Sequence, residues 1–213
     1  MSEQKSLTSL SNGFAGMLKL GIVLALYAAA ACVGLAFVYA GTEKVIAQRQ
    51  QDDLNAALDE LFPTADYFEP IENIASLDPA VTIEEGGAFA ARMNSGEIIG
   101  AAVRTSRASY SGAIKILVGV GTNGKISGVK ILEHKDTPGL GANAASDKYY
   151  VDRANGIHFY DQFTGKNVTD PFEVKRDVII ITASTITSRA VALSVKAAGE
   201  TASSWFASQG GSR

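Results

Sequence analysis

The amino-acid sequence predicts an α+β protein: a single N-terminal transmembrane helix, then a mainly antiparallel-sheet domain with flanking helices. Three observations carry that prediction. Leu20–Ala40 contains no charged residue, and at about 1.5 Å per residue it matches the roughly 30 Å hydrocarbon core of a bilayer. Two pairs of apolar runs flank Asn94-Ser95-Gly96 and Thr122-Asn123-Gly124, and Asn-Gly between such runs is a strong hairpin signal. Ala190, Val191, Val195 and Ala198 recur at helical spacing, so a last helix opens near Thr185 to Ser188 and runs to Phe206.

Composition narrows the chemistry. With 213 residues, 46% of them hydrophobic and 19% charged, the chain can form one domain with a real core plus an accessory segment. A net charge of −3 gives no electrostatic footing for nucleic acid. The lone cysteine, Cys32, lies inside the apolar run. A disulfide framework, a zinc site and an iron–sulfur cluster built from this chain alone are therefore excluded, and no metal ligands are assigned. Redox chemistry would have to come from a bound organic cofactor.

In order along the chain, residues 1–19 read as a polar tail and 20–40 as the span. That span is too long for the apolar core of a signal peptide, and its flanking lysines and arginine nearly tie under the positive-inside rule. Residues 41–86 read as a stalk helix and connector, with Ile46, Leu54, Leu58 and Leu61 as an apolar stripe and Pro63 as the stop. The domain occupies 87–208, its strands beginning at Gly87, and 209–213 form a disordered tail. Within the domain, 144–153 reads as a short helix with Tyr149, Tyr150 and Val151 as its apolar patch. Tyr160 and Phe163 are expected in the core.

Two stretches stand out chemically. Val178–Ile181 reads as a buried strand that breaks into the hydroxyl cluster Thr182, Ser184, Thr185, Thr187 and Ser188. Hydroxyls at a helix N-terminus suit a phosphate, because the first-turn N–H groups lack partners and the helix dipole favours an anion. On residue chemistry alone, an N-cap at Ser184 or Thr185 accounts for the same pattern. The other stretch is His134–Asn143, HKDTPGLGAN, where Pro138 fixes φ while Gly139 and Gly141 allow close backbone approach to a planar ligand. Taken alone it is equally a tight loop after a strand. His134 reads as a strand-end residue bonded to backbone and a weak site candidate, and Asp136 as a capping or loop-fixing carboxylate.

Residues 182–191, TASTITSRAV, resemble the S-G-A-T-x-T-S-x-A-V signature of the FMN-binding domain family shared by the Rnf and Nqr electron-transport complexes. HKDTPGLG resembles that family's H-x-E-T-P-G-L-G loop, and FYDQFTGK (159–166) its Q-F-x-G-K segment. Three departures are visible: Asp136 replaces the loop's usual Glu, the family's Gly-Ala is Ala183-Ser184 here, and its Asp six residues before the acceptor falls on Ile179, with Asp177 two residues earlier. The resemblance implies an FMN phosphoester on Thr185, made by a dedicated flavin transferase, with Thr182, Ser184, Thr187 and Ser188 around the phosphate. It also implies that Thr137, Gly139, Leu140 and Gly141 wall the isoalloxazine ring. It further implies a single-pass protein of the cell (inner) membrane, its tail cytoplasmic and its large domain on the outer or periplasmic face. The implied partners are the other membrane and redox subunits of an Rnf-type complex, and membrane lipid. Among relatives the compact chain looks more like the G-type subunit of Rnf. On that reading it relays electrons within an ion-translocating ferredoxin–NAD oxidoreductase and is no stand-alone catalyst. The alternative reading is a flavin-free structural or assembly subunit of such a complex.

Overall fold

The computed structural model describes residues 3–210, with side chains from residue 16 to 209. The backbone divides into two compact units, residues 1–52 and 53–213.

The first unit is helical throughout its described residues and belongs to helix α1, Glu3–Leu61. Residues 16–53 of this helix are solvent-exposed. Among the described residues, Gly16–Leu61 is the segment long and apolar enough to cross a membrane. The expected N-terminal tail is thus helical from Glu3 onward: a chain with no Gly or Pro before Gly13 contains no breaker to stop the helix propagating toward its N-terminus.

The second unit is built on a five-stranded antiparallel meander in the order β1 (Tyr67–Pro70), β2 (Thr82–Arg92), β3 (Ile98–Ala108), β4 (Ala113–Gly121) and β5 (Ile126–Glu133). Both turn signals sit where they were expected. Gly96 (φ +85°) closes β2–β3 and Gly124 (φ +74°) closes β4–β5, a left-handed conformation that glycine adopts without a Cβ penalty. The sheet begins earlier than Gly87, however. β1 lies in the stretch read as a connector, and β2 starts at Thr82, where a register shift between Ile83 and Ala88 accommodates Gly86 at φ +64°. That irregularity breaks the two-residue alternation and hides the strand in the sequence.

Alternation along the strands gives the sheet two different faces. One face presents Ala101, Val103, Ile114, Ile116, Val118 and Val120 to helix α2, Thr185–Gly210, which contributes Val191, Val195, Ala198 and Ala202 to the same core. The other face carries a band of small residues running strand to strand, with Ala91 opposite Gly100, Gly100 opposite Gly121, and Gly119 opposite Gly128. Leu54, Ala57, Leu58, Leu61 and Phe62, the end of α1 and the residue after it, pack against this face with Ala102 and Leu117. The stripe Leu54, Leu58 and Leu61 is therefore core, while Ile46 is exposed.

Residues 134–184 are mostly irregular, with a 3₁₀ turn at Gly141–Ala145, a two-stranded ribbon of β6 (Tyr150–Asp152) and β7 (Ile157–His158), and a 3₁₀ turn at Asp161–Phe163. Two expectations fail here. Residues 144–153 are no helix: Tyr150 and Val151 lie in β6, and Asp152 turns the ribbon by accepting from the N–H groups of Ala154 and Asn155. Val178–Ile181 is no strand either. Val178 makes only an isolated bridge with Val174, and side chains serve the N–H groups further on: Ile179 N–H donates to Gln162 Oε1 at 2.7 Å and Ile181 N–H to Ser188 Oγ at 3.0 Å. Val178 and Ile181 are buried and Ile179 is exposed, so the apolar run reflects burial without sheet pairing. Phe163 is core as expected, and Tyr160 packs partly buried at its margin. Residues 209 and 210 continue α2 where a tail was expected, and 211–213 lie outside the described residues.

Candidate functional site

Helix α2 starts at Thr185. Ser188 N–H is the first to bond within it, to Ser184 O at 3.0 Å, so the N–H groups of Thr185, Ile186 and Thr187 precede the helical ladder. No acidic side chain occupies this first turn. Ser184 occupies the expected N-cap position, but its side chain does not cap: its Oγ is buried and has no hydrogen-bond partner. A buried hydroxyl beside three leading N–H groups is a donor set with unused capacity.

These groups open into a cavity of about 400 Å³ lined by Tyr110, Asp136, Thr137, Leu140, Gly141, Ala183, Ser184, Thr185, Ile186 and Thr187. The structure thus gathers six of the nine residues expected from sequence: Thr137, Leu140, Gly141, Ser184, Thr185 and Thr187. The other three lie off its walls. Gly139 (φ +77°) shapes the loop, its carbonyl accepting from Asn143 Nδ2 at 3.0 Å. Thr182 is exposed and its N–H donates to the Tyr149 hydroxyl at 3.3 Å. Ser188 accepts from Ile181 N–H and donates to Ser184 O, so it holds the approach to the helix.

The residue that assembles the cavity is one the sequence left open. Asp136 is 6% exposed. Its carboxylate accepts from Ser109 Oγ (2.6 Å), Ser111 N–H (2.9 Å) and Thr187 Oγ1 (2.8 Å). It therefore ties the β3–β4 connection, the T-P-G-L-G loop and helix α2 together. Burial pushes the Asp136 carboxyl up, but those hydrogen bonds and the nearby His134 outweigh it and hold it below the ordinary carboxylate range. Gly141 completes the fit: a Cβ there would stand 2.6 Å from Thr187 Oγ1 and 2.7 Å from Asp136 Cβ. His134, expected to bond backbone, instead has a buried Nδ1 with no partner.

Sequence reasoning passed over Ser109, Tyr110 and Ser111. Their signal is a hydroxyl-rich tripeptide between two strands, ending at Gly112. Tyr110, Leu140 and Ile186 are 71%, 42% and 56% exposed, and they line the cavity as an apolar rim. Asp177, the acid nearest the family's usual position, has another task. It accepts from the N–H groups of Phe172 and Glu173 and from Lys166 Nζ, so it fixes a loop away from the cavity. Among the described residues no cluster of His, Cys, Asp and Glu could hold a metal ion.

Ala183 occupies the family's glycine position at φ +59°, a left-handed conformation that costs an L-residue roughly 1–2 kcal/mol. Ala183→Gly is expected to raise stability by about 1 kcal/mol after glycine's own entropy cost. Urea unfolding followed by the fluorescence of Trp205 would register this as a higher midpoint at unchanged slope; a lower midpoint would contradict it.

A cavity that joins a helix N-terminus to a glycine-bearing loop of this composition defines a class. Residues 109–200 match the FMN-binding domain family, and residues 13–61 match the RnfG N-terminal region. The chain is 35% identical to the G-type subunit of the ion-translocating oxidoreductase complex of Photorhabdus laumondii, over 83% of this chain and 85% of that one. It is 33% identical to the corresponding subunit of Vibrio cholerae over 85% and 88%. With the G-type subunit of the Na(+)-translocating ferredoxin:NAD(+) oxidoreductase complex of Acetobacterium woodii the identity is 32% over 81% and 85%. The crystal structure of Shewanella oneidensis NqrC superposes with a TM-score of 0.43 at 18% identity, covering 65% of this chain and 74% of that one. The chain belongs to the RnfG family, the G-type subunits of ion-translocating oxidoreductase complexes.

Proposed function

We propose that this chain is a membrane-anchored electron-transfer subunit of an ion-translocating oxidoreductase complex, and that it carries FMN in the cavity at the start of α2 as a phosphoester of Thr185. The observation that carries the reading is the meeting of three features at one point. The leading N–H groups of α2, the unpartnered buried hydroxyl of Ser184 and the half-buried Thr185 side chain all face the same cavity. That donor set fits a phosphate, and an apolar rim over a cavity of about 400 Å³ fits a planar ring system.

FMN, when bound, supplies the capacity to accept and release electrons. The chain's own residues hold and orient. Thr185 Oγ1 provides the ester oxygen, which prevents cofactor loss from an exposed domain. The positive end of the helix dipole offsets the charge of the phosphate. Thr137, Leu140 and Gly141 form one wall, with Gly139 setting the loop's turn. Tyr110, Leu140 and Ile186 keep water from the interior while leaving an edge open for exchange. Attachment calls for a flavin transferase, and the domain stands on the outer or periplasmic face. Membrane lipid and the remaining subunits of the complex are its neighbours.

The test is a denaturing gel of membrane-expressed protein, produced with the transferase and viewed under ultraviolet light before staining. A fluorescent band in the parent and none in Thr185→Val is the expected result. Fluorescence in both would move the ester elsewhere, and none in either would favour a flavin-free structural subunit, a reading to which the left-handed Ala183 and the altered S-G-A-T lend some support.

A further inference from the structure

The geometry points to Asp136 as the residue that tunes the electron affinity of the site, a fixed negative charge on the cavity wall that opposes the arrival of an electron. The proposal rests on the reading that FMN occupies this cavity. Of the residues lining it, Asp136 carries the only formal charge. Its three hydrogen-bond donors, the Ser109 and Thr187 hydroxyls and the Ser111 N–H, are all neutral. No lysine or arginine among the described residues forms an ion pair with it. Neutral donors keep a carboxylate ionised without cancelling its field as a paired cation would; His134, the one nearby titratable group that favours the charged form, forms no ion pair with it.

The consequence follows from Coulomb's law in a partly desolvated site. Reduction adds negative charge inside the cavity, and a like charge on its wall disfavours that state. Asp136 therefore holds the midpoint potential lower than a neutral side chain would. Electrons come from the complex's own donor and leave to its own acceptor, so Asp136 is neither oxidised nor reduced. It gains and loses no proton in the step. It acts only on the equilibrium.

A carboxylate that merely clamps three segments would also matter for stability, so the readout must separate charge from packing. Spectroelectrochemical titration of the flavinylated full-length protein in detergent gives the midpoint for the parent, Asp136→Asn, Asp136→Glu and Ser109→Ala. The expected result is a positive shift in Asp136→Asn, with Asp136→Glu and Ser109→Ala staying close to the parent, since both keep the charge. If Asp136→Asn does not fold, the pair Asp136→Glu and Asp136→Gln asks the same question at constant length, with the positive shift expected in Asp136→Gln. A midpoint unchanged in the neutral variants, or an equal shift in Ser109→Ala, would overturn the proposal. So would a result in which only the charged variants fold, which would leave the carboxylate as a clamp alone. A colourless parent would overturn the FMN reading itself, and is seen before any potential is measured.

Discussion

Gly141→Ala is expected to destabilise the domain by about 3 kcal/mol and to erase the proposed covalent flavin while leaving Thr185 in place. The argument is steric and then electrostatic. A Cβ at 141 would sit 2.6 Å from Thr187 Oγ1, 2.7 Å from Asp136 Cβ and 2.8 Å from Asp136 Oδ2, and neither side chain is the free end of a flexible chain. Overpacking of this kind costs about 1–3 kcal/mol, and prising Asp136 from Thr187 removes a charge-assisted hydrogen bond of about 1.5–3 kcal/mol. The two segments that wall the cavity would part, and Thr185, the proposed attachment point, would no longer sit in its frame. Urea unfolding together with the ultraviolet-viewed gel checks both parts; parental stability with a full-strength band would refute the account.

Gly100→Ala is expected to cost about 3 kcal/mol for a different reason. Its Cβ would collide with Phe62 Cε1, come within 2.6 Å of Phe62 Cζ and lie 2.8 Å from the carbonyl oxygen of Val120. The phenyl ring could swing aside, but the carbonyl belongs to the paired strand and cannot. Phe62, with Leu58 and Leu61, would lose its seat on the small-residue band of the sheet. The informative control is Gly34→Ala, where nothing lies within 4 Å and no loss is expected. Protease susceptibility near residue 62 should rise in Gly100→Ala and remain unchanged in the control. Flavin attachment at Thr185 should survive in both, because the cavity lies at the start of α2, which packs against the opposite face.

Much of this architecture could be read from the chain. The span, the Gly96 and Gly124 hairpins, the buried stripe of Leu54, Leu58 and Leu61, and the opening of the last helix all follow from periodicity and turn chemistry. Those signals are local. Where the reading failed, the deciding partner was distant. Val178–Ile181 has the composition of a strand, but Gln162 and Ser188 satisfy its backbone. Tyr149–Val151 resembles a helical apolar patch until Asp152 turns the chain back on itself. The site divides in the same way. Hydroxyls and glycines gathered into two motifs pointed to the residues on the cavity walls, whereas the role of Asp136 depends on serines and a threonine that no motif connects to it.

The distances in sequence spanned by that carboxylate also bear on when the site can come into being. Asp136 bonds to positions 25 and 27 residues before it and 51 residues after it. The last of these belongs to the final helix, which emerges from the ribosome after every strand of the sheet. A nascent chain that has delivered its whole meander still has neither the floor of the cavity nor the threonine at its edge, and loop closure over such a span is slow relative to local turns. Any enzyme that modifies Thr185 in its folded setting must therefore act after α2 has been made and docked, and a defect in docking of α2 would be recorded as missing cofactor before it was visible as lost sheet.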